Sequence, residues 1–189
     1  GWTVTSAGAE TPPWVSTISG PDTVPNSMFA ADIDPVGLNV GGLTALTSPA
    51  IAVTVPAATL TFRHRYNSEP GFDGGVLDIS IPGVSGGAFQ DIVTAGGTFI
   101  QNGYNSILPS TSTNTLGERL AWSGDSGTYV TTIVRMPASA VGQNVQLRWT
   151  FAFDSSVAPA GGGWNVDTVQ FNGTSQCVVT AAGVAISGR

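Results

Sequence analysis

An all-β, two-sheet antiparallel jelly-roll sandwich is the fold this sequence predicts, and three observations predict it. Apolar and polar residues alternate with a period of two in several runs, and those runs are short and bounded by Gly, Pro, Asn and Asp. The 189 residues include 25 Gly and 12 Pro. Inside a helix each Gly costs about 1 kcal/mol and each Pro about 3, which leaves long helices little room. Roughly ten short strands in one chain suit two packed sheets.

Along the chain, residues 27–31 and 43–55 are the first strand candidates. The clearest strand follows, with Leu60, Phe62, His64 and Tyr66 on one face and Thr61, Arg63 and Arg65 on the other. Asp73, Gly74 and Gly75 read as a turn, and Leu77, Ile79 and Ile81 alternate beyond it. Residues 96–116, rich in Gly, Ser, Thr and Asn, read as long surface loops. Strands are expected at 129–136, 145–153, 164–171 and 177–186, with one helical turn over 137–142. No repeat or linker divides the sequence, so residues 1–189 read as one domain.

Composition narrows the function. Hydrophobic residues make up 41% of the chain, enough for a core, and charged residues only 10%. There is no lysine, and six Arg face 12 acids for a net charge of −6. Without a basic cluster, binding to nucleic acid or to an anionic membrane surface is not expected. No apolar run reaches membrane-spanning length, so no membrane insertion is expected. The lone Cys177 cannot form an intrachain disulfide. Lysine-free composition rich in Gly, Ser and Thr suggests an exported bacterial protein, secreted or at the cell surface, with any signal peptide removed.

Scarce acids make their placement informative. Glu69 and Asp73 share one inter-strand loop, Asp32 and Asp34 follow an early strand, and Asp167 aligns with Val169 and Phe171 on an apparently apolar face. A buried carboxylate needs a cation, an Arg or several donors. Calcium takes six to eight oxygens, often from separate loops, and Glu69, Asp73, Asp167 and one of Asp32 or Asp34 would supply such a set. The alternatives are a turn role for Asp73, solvation of Glu69 and an Arg148 partner for Asp167.

The segment from Leu60 to Ser80, with Gly103 to Asn105, Arg119 to Gly124, Val145 to Phe151, Asp154 and Gly163 to Val169, resembles a bacterial jelly-roll family. Its members are similar to MAM domains and to the accessory modules of immune-inhibitor-A-type secreted metallopeptidases. The resemblance covers about Trp14 to Phe171. It implies a structural calcium ion held by Glu69, Asp73 and Asp167, with Asp32 or Asp34 from the N-terminal loop. Thr168 departs from the pattern, where many relatives carry a second Asp.

Enzyme readings find less support. Gly124 to Thr128 resembles the nucleophile motif of chymotrypsin-like proteases, with Ser126 as nucleophile, but the only base on offer is His64, which sits in mid-strand. A single His and a single Cys cannot build a zinc site without unusual carboxylate help. His64 is expected in or near the core with a hydrogen-bond partner. Trp122, Trp149 and Trp164 are expected in the core. Trp2, Trp14 and Tyr104 fall in loops, either as anchors or as exposed stacking surfaces for a sugar. Arg63, Arg65 and Arg148 lie on polar strand faces, either paired with acids or lining a groove for an acidic ligand.

The expectation is therefore a non-catalytic module stabilised by calcium, binding a carbohydrate or another surface ligand within a larger exported protein. The alternatives are a structural or protein-interaction module, and a hydrolase using Ser126.

Overall fold

The computed structural model describes residues 1–8, 11–34, 40–110 and 113–173. The predicted strand over 177–186, and Cys177 with it, lies outside the described residues. In chain order the strands are β1 (Thr3–Ala7), β2 (Val15–Thr17), β3 (Ser27–Ala31), β4 (Gly42–Thr47), β5 (Ile51–Ala52), β6 (Thr59–Asn67) and β7 (Gly74–Ser80). They continue with β8 (Phe89–Asp91), β9 (Thr98–Gln101), β10 (Ser106–Ile107), β11 (Leu120–Ala121), β12 (Val130–Arg135), β13 (Asn144–Phe153) and β14 (Gly163–Asn172). One helical turn, α1 (Pro82–Ser85), follows β7, and a 3-10 turn at Ala138–Ala140 falls within the predicted helical stretch.

Two antiparallel sheets face each other. One runs β1-β4-β13-β7-β8, with β5 also on β13, and the other runs β2-β3-β14-β6-β12-β9. Successive long strands alternate between the sheets, which is the jelly-roll path. Strand β6 shows the logic of the fold: Leu60, Phe62, His64 and Tyr66 are buried while Thr61, Arg63 and Arg65 face outward. Trp122, Trp149 and Trp164 are fully buried between the sheets, joined by Phe62, Phe151 and Phe153. Large rings dominate the apolar area a core removes from water.

Two local expectations are corrected, and one pair of alternatives is resolved. Gly74 and Gly75 belong to strand β7, not to a turn; the turn is made by Glu69 to Asp73, where the amide of Asp73 donates to the carbonyl of Glu69 at 3.1 Å. The glycines are needed for close approach: a Cβ on Gly74 would meet the Trp122 carbonyl at 2.5 Å, and one on Gly75 the Trp164 ring at 2.5 Å. Residues 96–116 are not only surface loops, because they carry β9, β10 and the buried Leu108 and Leu116. Trp14 and Tyr104 pack inward, leaving Trp2 as the exposed ring of the three, against Trp149.

Candidate metal centre

The antiparallel register carries four acids to one end of the sandwich. Gly163 at the start of β14 lies between Ala31, the last residue of β3, and Asn67, the last of β6. In the other sheet, the start of β7 at Gly74 faces Ala152 near the end of β13. Asp32 therefore leaves β3, Glu69 and Asp73 span the β6–β7 turn, and Asp154 leaves β13, all at the same end.

These carboxylates converge. One oxygen each of Glu69, Asp73 and Asp154 lies within 4.8 Å of the others. Asp32 joins them as an electrostatic neighbour of Asp73, Glu69 and Asp154. Asp73 is fully buried, and Asp32 and Asp154 are each 6% exposed. Asp73 Oδ1 accepts the amide of Asp154 at 2.6 Å, and Asp154 Oδ1 accepts the amide of Ser156 at 2.8 Å. Both oxygens of Asp32, Oε2 of Glu69 and Oδ2 of Asp73 are buried without a hydrogen-bond partner among the described residues.

That arrangement is electrostatically expensive for the protein alone. Burial raises the pKa of Asp73 first, and the charge of Asp32 adds to it. Burial likewise raises Asp32, with the charges of Glu69 and Asp154 adding. Among the described residues no Arg reaches these carboxylates, and the ion pairs involve Asp22, Asp78 and Asp91. The donor set is hard and all oxygen, as calcium and magnesium prefer. Four protein carboxylates suit calcium better, because magnesium keeps much of its water and usually takes one or two.

Two of the sequence candidates lie elsewhere. Asp34 is exposed, beyond the end of β3. Asp167 pairs with Arg63 across β6, four residues from Gly163, or about 13 Å along the strand. Its Oδ2 accepts the amide of Thr23 at 2.9 Å and its Oδ1 the amide of Thr168 at 2.6 Å. The reason is a β-bulge. Thr168 has φ +46°, and the β14–β6 register shifts between Asp167 and Gln170. One extra residue reverses which side chains face inward. Asp167 thus points outward with Asn165, while Val169 and Phe171 return to the core beside Trp164 and Val166.

Asp154 is the acid that reading the sequence for ligands missed. Its signal was present, an Asp directly after a strongly alternating strand, but only the β13–β7 pairing brings it to Asp73.

His64 and Ser126 do not form a nucleophile–base pair. His64 is fully buried. Its Nδ1 accepts the indole N–H of Trp164 at 3.1 Å, so Nε2 carries the proton and donates to Thr132 Oγ1 at 2.8 Å. Burial, then the Arg63 charge, lowers the His64 pKa to about 3. The hydroxyl of Ser126 lies in hydrogen-bond range of the Tyr66 amide and carbonyl and the Thr128 carbonyl.

No family model matches the sequence, and no curated protein does. Solved structures do. The K1 cleaved adhesin domain of Lys-gingipain from Porphyromonas gingivalis W83 superposes with a TM-score of 0.52 at 14% identity, over 92% of this chain and 91% of that one. The likeness is one of fold. The K3 cleaved adhesin domain of the same protein gives a TM-score of 0.51 at 14% identity, over 90% of both chains. A carbohydrate-binding module in complex with β-1,4-galactotriose aligns at a TM-score of 0.47 and 11% identity, over 92% of this chain and 88% of that one. Among the described residues, no helix is long and apolar enough to cross a membrane.

Proposed function

We propose that this chain is a non-catalytic binding module of an exported or cell-surface protein, with its loops tied together by a structural calcium ion. The observation that carries the calcium is the set of buried carboxylate oxygens at Asp32, Glu69 and Asp73 that have no hydrogen-bond partner among the described residues. Asp32, Glu69, Asp73 and Asp154 would hold the ion, which would supply the positive charge that no described residue brings to this end of the sandwich. It would join a loop after the first long strand of one sheet to a loop after the last long strand of the other.

A binding role is supported by the adhesin domains that share the fold, and a carbohydrate is the ligand class we favour. Kinship with MAM-like domains and with the accessory modules of immune-inhibitor-A-type metallopeptidases belongs to the same reading. It is supported by Glu69 and Asp73, which lie in the segment that carries the resemblance and meet in one cluster.

The test is thermal unfolding in EDTA and after calcium is added back, for the wild type and Asp73→Asn. At a hundredfold excess over its dissociation constant the ion should add about 2.7 kcal/mol, a rise of several degrees in Tm. Asp73→Asn should abolish the rise, and magnesium should give a smaller one. A melting temperature indifferent to calcium, or an equal rise in the variant, would overturn the site.

A further inference from the structure

The outer face of the second sheet carries a row of side chains that the metal centre does not use. Strand register sets Phe29 of β3 beside Asn165 of β14, and Asn165 beside Arg65 of β6. Tyr129, just before β12, lies under Arg65, whose guanidinium carbon is 5.8 Å from the ring centroid. The row thus reads aromatic ring, amide, guanidinium, phenol. A polar cleft of about 310 Å³ is lined by Phe29, Asn165 and Arg65 of this row and by Asn67 and Asp125. A second hollow of about 260 Å³ shares Phe29, Arg65, Gly161 and Asn165 with it, so the two form one continuous groove.

Two of these groups are unspent. Arg63 is occupied by Asp22 at 2.7 Å and Arg148 by Asp78 at 3.0 Å, while Arg135, at the end of β12, does not line the groove. Arg65 makes no ion pair among the described residues and is exposed, although the chain is acidic overall. Asn165 is only 4% exposed, and its amide nitrogen donates to Ser27 Oγ at 3.1 Å. Its Oδ1 accepts nothing among the described residues while the side chain lines the groove. A nearly buried amide fixed on one side and free on the other is a preorganised acceptor.

We infer that this groove binds a saccharide, with one uncharged pyranose unit seated over Asn165. Vicinal sugar hydroxyls both donate and accept, and planar side chains meet such pairs with two parallel bonds. Arg65 and Asn67 would donate, Asn165 Oδ1 and the Asp125 carboxylate would accept, and Phe29 would cover the C–H face of the ring. Asp125 works against an anionic ligand, so the expected sugar is neutral rather than acidic. The inference rests on the binding-module reading and gives it a site and a ligand chemistry.

The experiment is titration of the calcium-loaded, isotope-labelled protein with cellotriose, β-1,4-galactotriose, mannotriose and trigalacturonate, followed by amide NMR shifts. At least one neutral trimer should shift the amides around Asn165 and Arg65 in a saturable way. Arg65→Ala, an exposed change expected to leave the melting temperature unaltered, should weaken that binding tenfold or more. Phe29→Ala should weaken it as well. Saturable binding left unchanged by Arg65→Ala would overturn the groove and leave the module reading intact. Binding of trigalacturonate alone would overturn the neutral class. If no trimer binds while calcium still stabilises the fold, the saccharide assignment falls and the metal centre stands.

Discussion

Two groups of buried carboxylates in this molecule are handled in opposite ways. Asp78, on the outer side of the first sheet, is 1% exposed and receives Arg119 at 2.6 Å, Arg148 at 3.0 Å and the Thr150 hydroxyl at 3.1 Å. Arg119 also bridges to Asp91 at 2.8 Å, which accepts the Tyr104 hydroxyl at 2.9 Å. At the end of the sandwich, Asp73 is as deeply buried but has, among the described residues, one amide donor, other acids around it and no Arg. Burial alone therefore does not identify a metal site. The informative feature is a buried carboxylate for which no described residue provides a countercharge.

The contrast can be broken most sharply at Arg119. Arg119→Met should destabilise the protein by about 3 kcal/mol, the low end for breaking a buried pair, because Arg148 still faces Asp78. Denaturant unfolding should show the same loss with and without calcium. A loss present only in EDTA would mean that the two groups are not separate.

Next in size is the separation of Asp154 from Asp167. Asp154→Asn should remove most of the roughly 2.7 kcal/mol that calcium supplies at a hundredfold excess. Asp167→Asn should leave that increment intact, since its carboxylate serves Thr23 and Thr168. The reverse result from calorimetric calcium titration would restore Asp167 as a ligand.

Acid response provides a third contrast. His64 has its folded pKa lowered to about 3 by burial and the Arg63 charge, below the ordinary value of about 6.5. Between those values the unfolded chain binds the extra proton, so stability held above pH about 6.5 is lost as pH falls, by at most about 1.4 kcal/mol per unit. Asp32 and Asp73 act in the opposite sense when calcium is removed. Their raised folded values mean that the native state keeps protons the unfolded chain has released, so stability falls as pH rises above the ordinary carboxylate range. Melting curves should therefore decline more steeply toward acid with calcium than in EDTA. Parallel curves would remove the argument.

The smallest effect is expected at the surface. Arg63 and Asp22 form an ion pair whose side chains are 30% and 23% exposed. Asp22→Asn should change stability by less than about 1 kcal/mol, and salt should shrink the difference further.

The limits of reading the sequence show in particular residues. Alternation of Leu60, Phe62, His64 and Tyr66 was enough to orient β6, because one inward face repeats without interruption. The same reasoning failed at Asp167, where a bulge at Thr168 breaks the period and no residue type announces it. Glu69 and Asp73 were legible as a pair, being four residues apart in one turn. Asp154 was not legible as their partner, because it lies 81 residues from Asp73 and meets it through strand pairing.

By itself the sequence determined the all-β class, the main long strands, the burial of Trp122, Trp149 and Trp164, and the scarcity of acids that made each one informative. These are local matters, set by periodicity, side-chain size and turn chemistry. Only the tertiary structure decided which acids share a space, which arginines are already occupied, and that Arg65 and Asn165 lie side by side over a groove. Those facts depend on register between strands distant in sequence, and a single bulge is enough to change which side chains meet.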